Sequence, residues 1–314
     1  MGFEGLLGNE QLKSNLRASV GRGRAAHFYL ISGPKGSGKH TLAQLLAAAL
    51  VCREADKPCL SCSACRKVLG NSHPDVITVV DPDHKTVAVK LVRQYREDIF
   101  IKPNEADRKI YIFPQEMGVE GQNALLKVLE EPPSYGVFMI LSENPESLLP
   151  TIRSRCTQLR LNGLSESQLR SALLQHHPEA DPQAIAAAVS RSGGYLGQAE
   201  ELLENAALSP QSEGFAAGFG KRNSLGLAQT LVPMERWKRD QLIPELESWI
   251  RLLHEALLSR SGHLSVSPAA AQLAAGRSAQ ELMQAVQILK KCVEYATGNV
   301  SVAAICGHLL WALR

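Results

Sequence analysis

Residues 27–51 read HFYLISGPKGSGKHTLAQLLAAALV: a short apolar run, a glycine-rich loop, then an Ala/Leu-rich stretch with no breaker. The first six residues have the character of a buried strand, and residues 41–51 that of a strong helix. Gly33, Gly36 and Gly38, followed by Lys39, fit G-x4-G-K. In such a loop, backbone N–H groups wrap phosphate oxygens and the lysine reaches the outer phosphates. The helix that begins there adds its positive end. Strand, phosphate loop and helix in this order predict an α/β domain built on a phosphate loop.

The pattern continues outward. Residues 76–80 (VITVV), 109–113 (KIYIF), 137–141 (VFMIL) and 157–161 read as further strands. Between them, residues 87–100 carry Val89, Val92, Tyr95 and Ile99 at helical spacing, and a helix over 121–131 is stopped by Pro132-Pro133. Residues 9–21 also look helical. Strands alternating with helices predict a mainly parallel sheet over residues 1–162. Beyond 162 the strand signal stops. Residues 165–174, 181–190 and 197–207 read as three short helices, with Ser165 and Asp181 as N-caps. Residues 209–220 (SPQSEGFAAGFG) read as a linker by their Ser, Pro and Gly content. From Asn223 onward the chain looks helical, with breaks near Pro233, at 259–267 and at 297–299.

The chain has 314 residues, more than one ordinary core holds, so two or three domains are expected. Hydrophobic residues make up 45% and charged residues 21%, a globular balance. No apolar run approaches the length of a membrane span, so no membrane association is expected. A net charge of +3 and 5% aromatics argue against a strong nucleic-acid field or a base-stacking platform. No signal peptide is visible in residues 1–25, and a reducing, cytoplasmic location is expected.

Cys52, Cys59, Cys62 and Cys65 follow the phosphate-loop helix with C-x6-C-x2-C-x2-C spacing. Four thiolates can surround one tetrahedral Zn²⁺ at about 2.3 Å, in a closed site with no position left for a catalytic water. A disulfide pair or redox-active thiols are the alternatives, and the expected compartment favours zinc. The flanking Lys57, Arg66 and Lys67 could touch a nucleic-acid backbone, but a local fold staple is the preferred role. Cys156, Cys292 and Cys306 stand singly and read as buried core thiols.

The phosphate loop has departures. The position after Lys39 should carry a hydroxyl for Mg²⁺; here it is His40, with Thr41 one step later. The end of strand 109–113 should carry carboxylates; here Pro114 and Gln115 follow, and Glu116 is one step late. Hydrolysis by this chain is not expected. ATP or ADP in the loop stays open.

QNALLKVLEEPP at 122–133 and LLPTIRSRC at 148–156, with the loop and the four-cysteine insertion between loop and second strand, resemble the bacterial DNA polymerase III clamp-loader ATPases of the AAA+ class. The losses resemble most the delta-prime branch, the non-hydrolysing member of the pentamer, whereas the gamma/tau branch keeps the hydroxyl and the acidic pair. This chain is also shorter than the family pattern between Phe113 and Met117. It carries Gly197 where gamma/tau chains have an arginine that senses the γ-phosphate.

The resemblance implies an AAA+ α/β P-loop domain over 1–162 with a zinc module at 52–65. An all-α lid at 163–208 and an all-α collar at 209–314 would follow. It implies that Ser154-Arg155-Cys156 presents Arg155 as an arginine finger to ATP held by a neighbouring subunit, with Arg153 not the finger; a surface ion pair is the alternative. Ser142 and Asn144 would sit where AAA+ proteins orient water, unless Asn144-Pro145 makes a turn. Leu282, Val286 and Leu289, then Val302, Ile305, Leu309 and Leu310, form stripes suited to a core and, by resemblance, to oligomerisation.

The implied partners are gamma/tau and delta subunits and, through them, the sliding clamp and primed DNA. By itself the chain would not be an enzyme but a non-catalytic subunit of the DNA polymerase III holoenzyme. The alternatives are an active gamma/tau-type ATPase and a zinc-dependent nucleic-acid-binding module.

Overall fold

The computed structural model describes residues 2–206, 208–263, 267–298 and 300–313. They form two compact units: residues 2–168 with Tyr195–Gly197, and Leu169–Gly194 with the described residues from Gln198 onward.

The first unit is built on β1 (Phe28–Ser32), β2 (Val76–Thr78), β3 (Lys109–Phe113), β4 (Gly136–Ser142) and β5 (Thr157–Arg160), in the order β2-β3-β4-β1-β5. All pairings are parallel, with Ser32 opposite Ser142 and Phe113 opposite Ile140. Every residue of β1, β3 and β4 is buried, which is why these strands read as continuous apolar runs and not as alternating ones. Successive side chains feed opposite layers. Tyr29, Ile31, Ile110, Ile112 and Met139 pack with Leu42 and Leu46; Phe28, Leu30, Tyr111, Phe113 and Phe138 pack with Val92, Leu125 and Ile152.

The helices of this unit are α1 (Glu10–Gly21), α2 (Lys39–Val51), α3 (Ser63–Leu69), α4 (Val89–Asp98), α5 (Val119–Glu130) and α6 (Pro150–Arg153). Because every strand runs the same way, Gly33, Pro114 and Glu143 all leave the sheet at its carboxyl edge, where open α/β sheets place ligands.

The remaining elements are all helices: α7 (Glu166–His176), α8 (Pro182–Arg191), α9 (Leu196–Ala206), α10 (Pro210–Gly220), α11 (Ser224–Met234), α12 (Arg239–Arg260), α13 (Pro268–Gly276), α14 (Ala279–Thr297) and α15 (Val302–Ala312). Ser165 and Asp181 cap the backbone N–H groups of Gln168 and Ala184.

The expected linker at 209–220 is instead the helix α10. Ser209 caps it by accepting from the Ser212 N–H, and Pro210 sits in the first turn, where its missing donor costs nothing. Phe215 stacks on Trp249 at 4.4 Å between ring centroids, in the core of the unit. The glycines that suggested a linker instead let α10 approach α11. A Cβ at Gly218 would lie 2.7 Å from the Leu227 nitrogen, and one at Gly214 2.4 Å from the Thr230 hydroxyl.

Pro233 does not break the chain but lies in the last turn of α11. Within the expected breaks at 259–267 and 297–299, residues 264–266 and Asn299 lie outside the described residues. Leu282, Val286, Leu289, Val302, Ile305 and Leu309 are core residues, with Leu310 packed against them. Among the described residues no helix is long and apolar enough to cross a membrane.

Candidate functional site

The loop from β1 to α2 turns through Gly36 (φ +75°) and Gly38 (φ +89°), left-handed conformations suited to glycine. Lys39 is buried and turned onto its own loop. Its ammonium donates to the Gly33 carbonyl at 2.7 Å and the Pro34 carbonyl at 2.8 Å, and lies 3.8 Å from the Glu143 carboxylate. Burial pushes its pKa down, with Glu143 acting the other way. His40 is exposed at the start of α2, and Thr41 follows half-buried. Desolvation and the neighbouring Lys39 charge hold the His40 imidazole below its usual pKa. The Gly197 N–H donates to the Gly36 carbonyl at 3.0 Å. A Cβ at 197 would lie 2.7 Å from the Gly36 Cα, so this contact tolerates glycine alone.

At the end of β3, Gln115 is committed to building a loop. Its Oε1 accepts from the Asp81 N–H at 2.7 Å, and its Nε2 donates to the Asp81 and His84 carbonyls at 3.0 and 3.1 Å. Asp81 in turn accepts from His84 Nδ1 and from the N–H groups of Asp83 and Ala88. The His84 bond leads the effects that hold its carboxyl below the usual range. Glu116 is exposed, and only its carbonyl, accepting from the Val87 N–H, is tied down. Ser142 at the end of β4 has a buried hydroxyl without a partner. Asn144 makes a turn, capping the Glu146 N–H.

The four cysteines converge. Their sulfurs all lie within 4.8 Å of one another, and those of Cys59 and Cys65 are 3.9 Å apart. Sulfurs about 2.3 Å from a tetrahedral metal stand about 3.8 Å from each other, so the donor set fits one ion. A disulfide needs about 2.05 Å, and none is formed. The Cys62 and Cys65 N–H groups point at the sulfurs of Cys59 and Cys62. That donation, from Cys62 first, pulls the Cys59 thiol down to about 6, whereas burial pushes Cys52 and Cys65 up.

The cluster is fastened to the sheet by residues the sequence reading missed. Asp75, fully buried before β2, accepts three consecutive backbone N–H groups, from Asn104, Glu105 and Ala106, at 2.6, 2.7 and 2.8 Å. The loop so held receives Arg53 on the Glu105 carbonyl and on Asp107, and Lys67 on the Glu105 carboxylate. No motif marks Asp75; its neighbours at 104–106 are adjacent only after folding.

Ser154-Arg155-Cys156 follows α6, far along the sheet unit's chain from the loop. Arg155 is 38% exposed; it donates to Glu130 at 2.7 Å and to the Thr151 carbonyl at 3.0 Å. Arg153 is turned to Glu146. Cys156 donates to the Arg153 carbonyl, and burial raises its pKa. The α6 segment is set against α5 by Gln122, which accepts from the Leu149 N–H and donates to the Met117 and Ser147 carbonyls.

Comparison with known proteins follows the same span. The family model described as DNA polymerase III, delta subunit, matches residues 8–165, half of the chain. DNA polymerase III subunit tau of Salmonella typhimurium is 30% identical over 289 residues, covering 85% of this chain and 45% of that protein. DNA polymerase III subunit delta' of Bacillus subtilis is 33% identical over 160 residues, covering 50% of this chain and 48% of that protein. Subunit tau of Bacillus subtilis is 34% identical over 158 residues, covering 49% of this chain and 28% of that protein. The chain thus spans about half or less of the length of these relatives. With its parallel sheet, phosphate loop and Ser-Arg-Cys segment, the chain belongs to the DNA polymerase III delta-subunit family of clamp-loader AAA+ proteins.

Proposed function

We propose that this chain is a non-hydrolysing, delta-prime-type subunit of the DNA polymerase III clamp loader. It would help to load the sliding clamp onto primed DNA and supply Arg155 in trans to ATP held by a neighbouring gamma/tau subunit. Residues 163–208 would be the lid. Residues 209–314 would be the collar through which it assembles with gamma/tau and delta. Cys52, Cys59, Cys62 and Cys65 would hold one structural Zn²⁺.

The observation that carries the non-hydrolysing reading is Gln115. It stands where a hydrolytic site needs a carboxylate, and its amide is spent on the Asp81 and His84 backbone. His40 and Gly197 support the same reading. ATP or ADP held by Gly33, Gly36, Gly38, Lys39 and Thr41 without turnover is compatible with it. The second reading, an active gamma/tau-type ATPase, is favoured by the intact glycines and Lys39, and turnover separates the two.

The test of the trans role is a loader reconstituted with gamma/tau and delta and carrying Arg155→Ala, with assembly checked by size. Loss of an arginine finger costs about 10³–10⁵ in rate where it is the sole such group, and less where several sites share the work. A fall in DNA- and clamp-stimulated ATPase with normal assembly is expected. Wild-type loading by the Ala variant would reduce Arg155 to a surface charge.

A further inference from the structure

Arg155 does not stand free in solvent. Its Nη2 meets Glu130 Oε1 at 2.7 Å, and its Nη1 meets the Thr151 carbonyl at 3.0 Å and, more weakly, the Ser154 hydroxyl at 3.4 Å. Glu130 is the last residue of α5, where the unpaired carbonyls of a helix end make a carboxylate unfavourable, and Glu131 beside it adds a second negative charge. Lys127 in the last turn offsets part of this, but the ion-pair partner of Glu130 is Arg155.

The pair is not a chance meeting of two mobile side chains. Pro132-Pro133 ends α5 just beyond Glu130, and the Gln122–Leu149 bond of 2.7 Å fixes the start of α6 against α5. Ile152, fully buried, anchors the turn before Arg155. The backbones that carry the acid and the arginine are therefore set relative to each other. Both side chains stay in reach of solvent, at 51% and 38% exposure. Arg153, two residues earlier, differs: it is less exposed, pairs with Glu146, and buries its Nε without a partner.

An exposed ion pair adds little to stability, so a pair built on an unfavourable helix position needs another purpose. We propose that Glu130 is a positioning residue for Arg155. It holds the guanidinium in one pose, between Glu130 and the Thr151 carbonyl, before a neighbour's nucleotide arrives, so that the arginine's side-chain torsions need not be ordered within each catalytic cycle. Preorganised charge of this kind acts on the transition state and not on ground-state binding. The inference rests on the reading of Arg155 as a finger in trans, and its test separates the two.

The experiment uses the reconstituted loader with Glu130→Ala, Glu130→Gln, Arg155→Ala and the Glu130→Ala/Arg155→Ala double variant. Assembly is checked by size and thermal stability by circular dichroism. Steady-state ATPase is measured with clamp and primed DNA against ATP concentration. Glu130→Ala should lower kcat by about twofold or more at unchanged KM, the mark of an interaction made only in the transition state. Glu130→Gln keeps an acceptor for the guanidinium and should recover part of the loss. The double variant should be no worse than Arg155→Ala alone, because without the arginine there is nothing to position. If Arg155→Ala lowers kcat while Glu130→Ala does not, or if the two losses multiply, the positioning role is refuted and the finger stands. If Arg155→Ala itself changes nothing, the finger reading fails and this inference falls with it.

Discussion

Replacing Asp75 with asparagine tests how the cysteine module is tied to the sheet. The carboxylate accepts three backbone N–H groups at 2.6–2.8 Å and the Asn104 side-chain amide at 3.4 Å. Hydrogen bonds to a charged acceptor contribute about 1.5–3 kcal/mol each, so three would reach roughly 5–9 kcal/mol at face value. Asn104 and Glu105 are exposed, however, and their N–H groups can return to water in the variant. The amide also keeps one acceptor oxygen.

A net loss of about 2–4 kcal/mol is expected, in the range of a disrupted buried hydrogen-bond network. Urea unfolding followed by circular dichroism measures it. Tryptophan fluorescence follows the helical unit, because Trp237, Trp249 and Trp311 all lie there.

The pH dependence gives a second signature. Burial pushes the Asp75 carboxyl up, but the three N–H groups outweigh it and hold the carboxyl below its ordinary value. A depressed folded pKa means stability that is present above about pH 4, the unfolded value, and lost as pH falls through the folded one. Wild type and Asp75→Asn should therefore differ at neutral pH and converge in acid. A variant within about 0.5 kcal/mol of wild type at neutral pH, the usual range of an ordinary surface change, would refute the anchoring role.

Two further outcomes are expected. Purified protein should carry about one zinc per chain, as a closed four-thiolate site requires, and Cys62→Ser should lose the metal and loosen the module while leaving the phosphate loop folded; metal-free protein with two disulfides would contradict this. On the proposed reading the isolated chain should not turn over ATP, because His40, Gln115 and Gly197 would each stand where the chemistry needs another side chain; steady turnover abolished by Lys39→Ala would favour the active gamma/tau-type ATPase.

The centre of the sheet was legible because β1, β3 and β4 are buried on both faces and are bounded by glycine, proline or charge. Residues 109–113 are a strand in the sequence and in the structure alike. The cysteine cluster was legible because its spacing is local. Residues 209–220 were not: Ser, Pro and Gly serve a loop and a capped, closely packed helix equally well, and only Phe215 against Trp249 decides between them. Asp75 and Glu130 were not legible for a different reason. Each is a carboxylate whose meaning lies in partners brought close by folding, Asp75 with a loop thirty residues away and Glu130 with an arginine beyond the next strand.

The departures at the phosphate loop are not simply missing parts. On the proposed reading, several positions around the loop have here taken a partner within the chain. Gln115 ties down the loop that starts at Asp81, Glu143 faces the Lys39 ammonium, and Gly197 rests against Gly36, all within the sheet unit. These contacts support one another, since Lys39 and Gly36 belong to the same loop. Restoring a hydroxyl at position 40 alone would leave the other three in place. An arginine at 197 would have to displace Gly36 before its guanidinium could reach anything, because its Cβ alone would meet the Gly36 Cα at 2.7 Å. Arg155 differs from these: its guanidinium, 38% exposed, is held by Glu130 and the Thr151 carbonyl and not by the loop at 33–39.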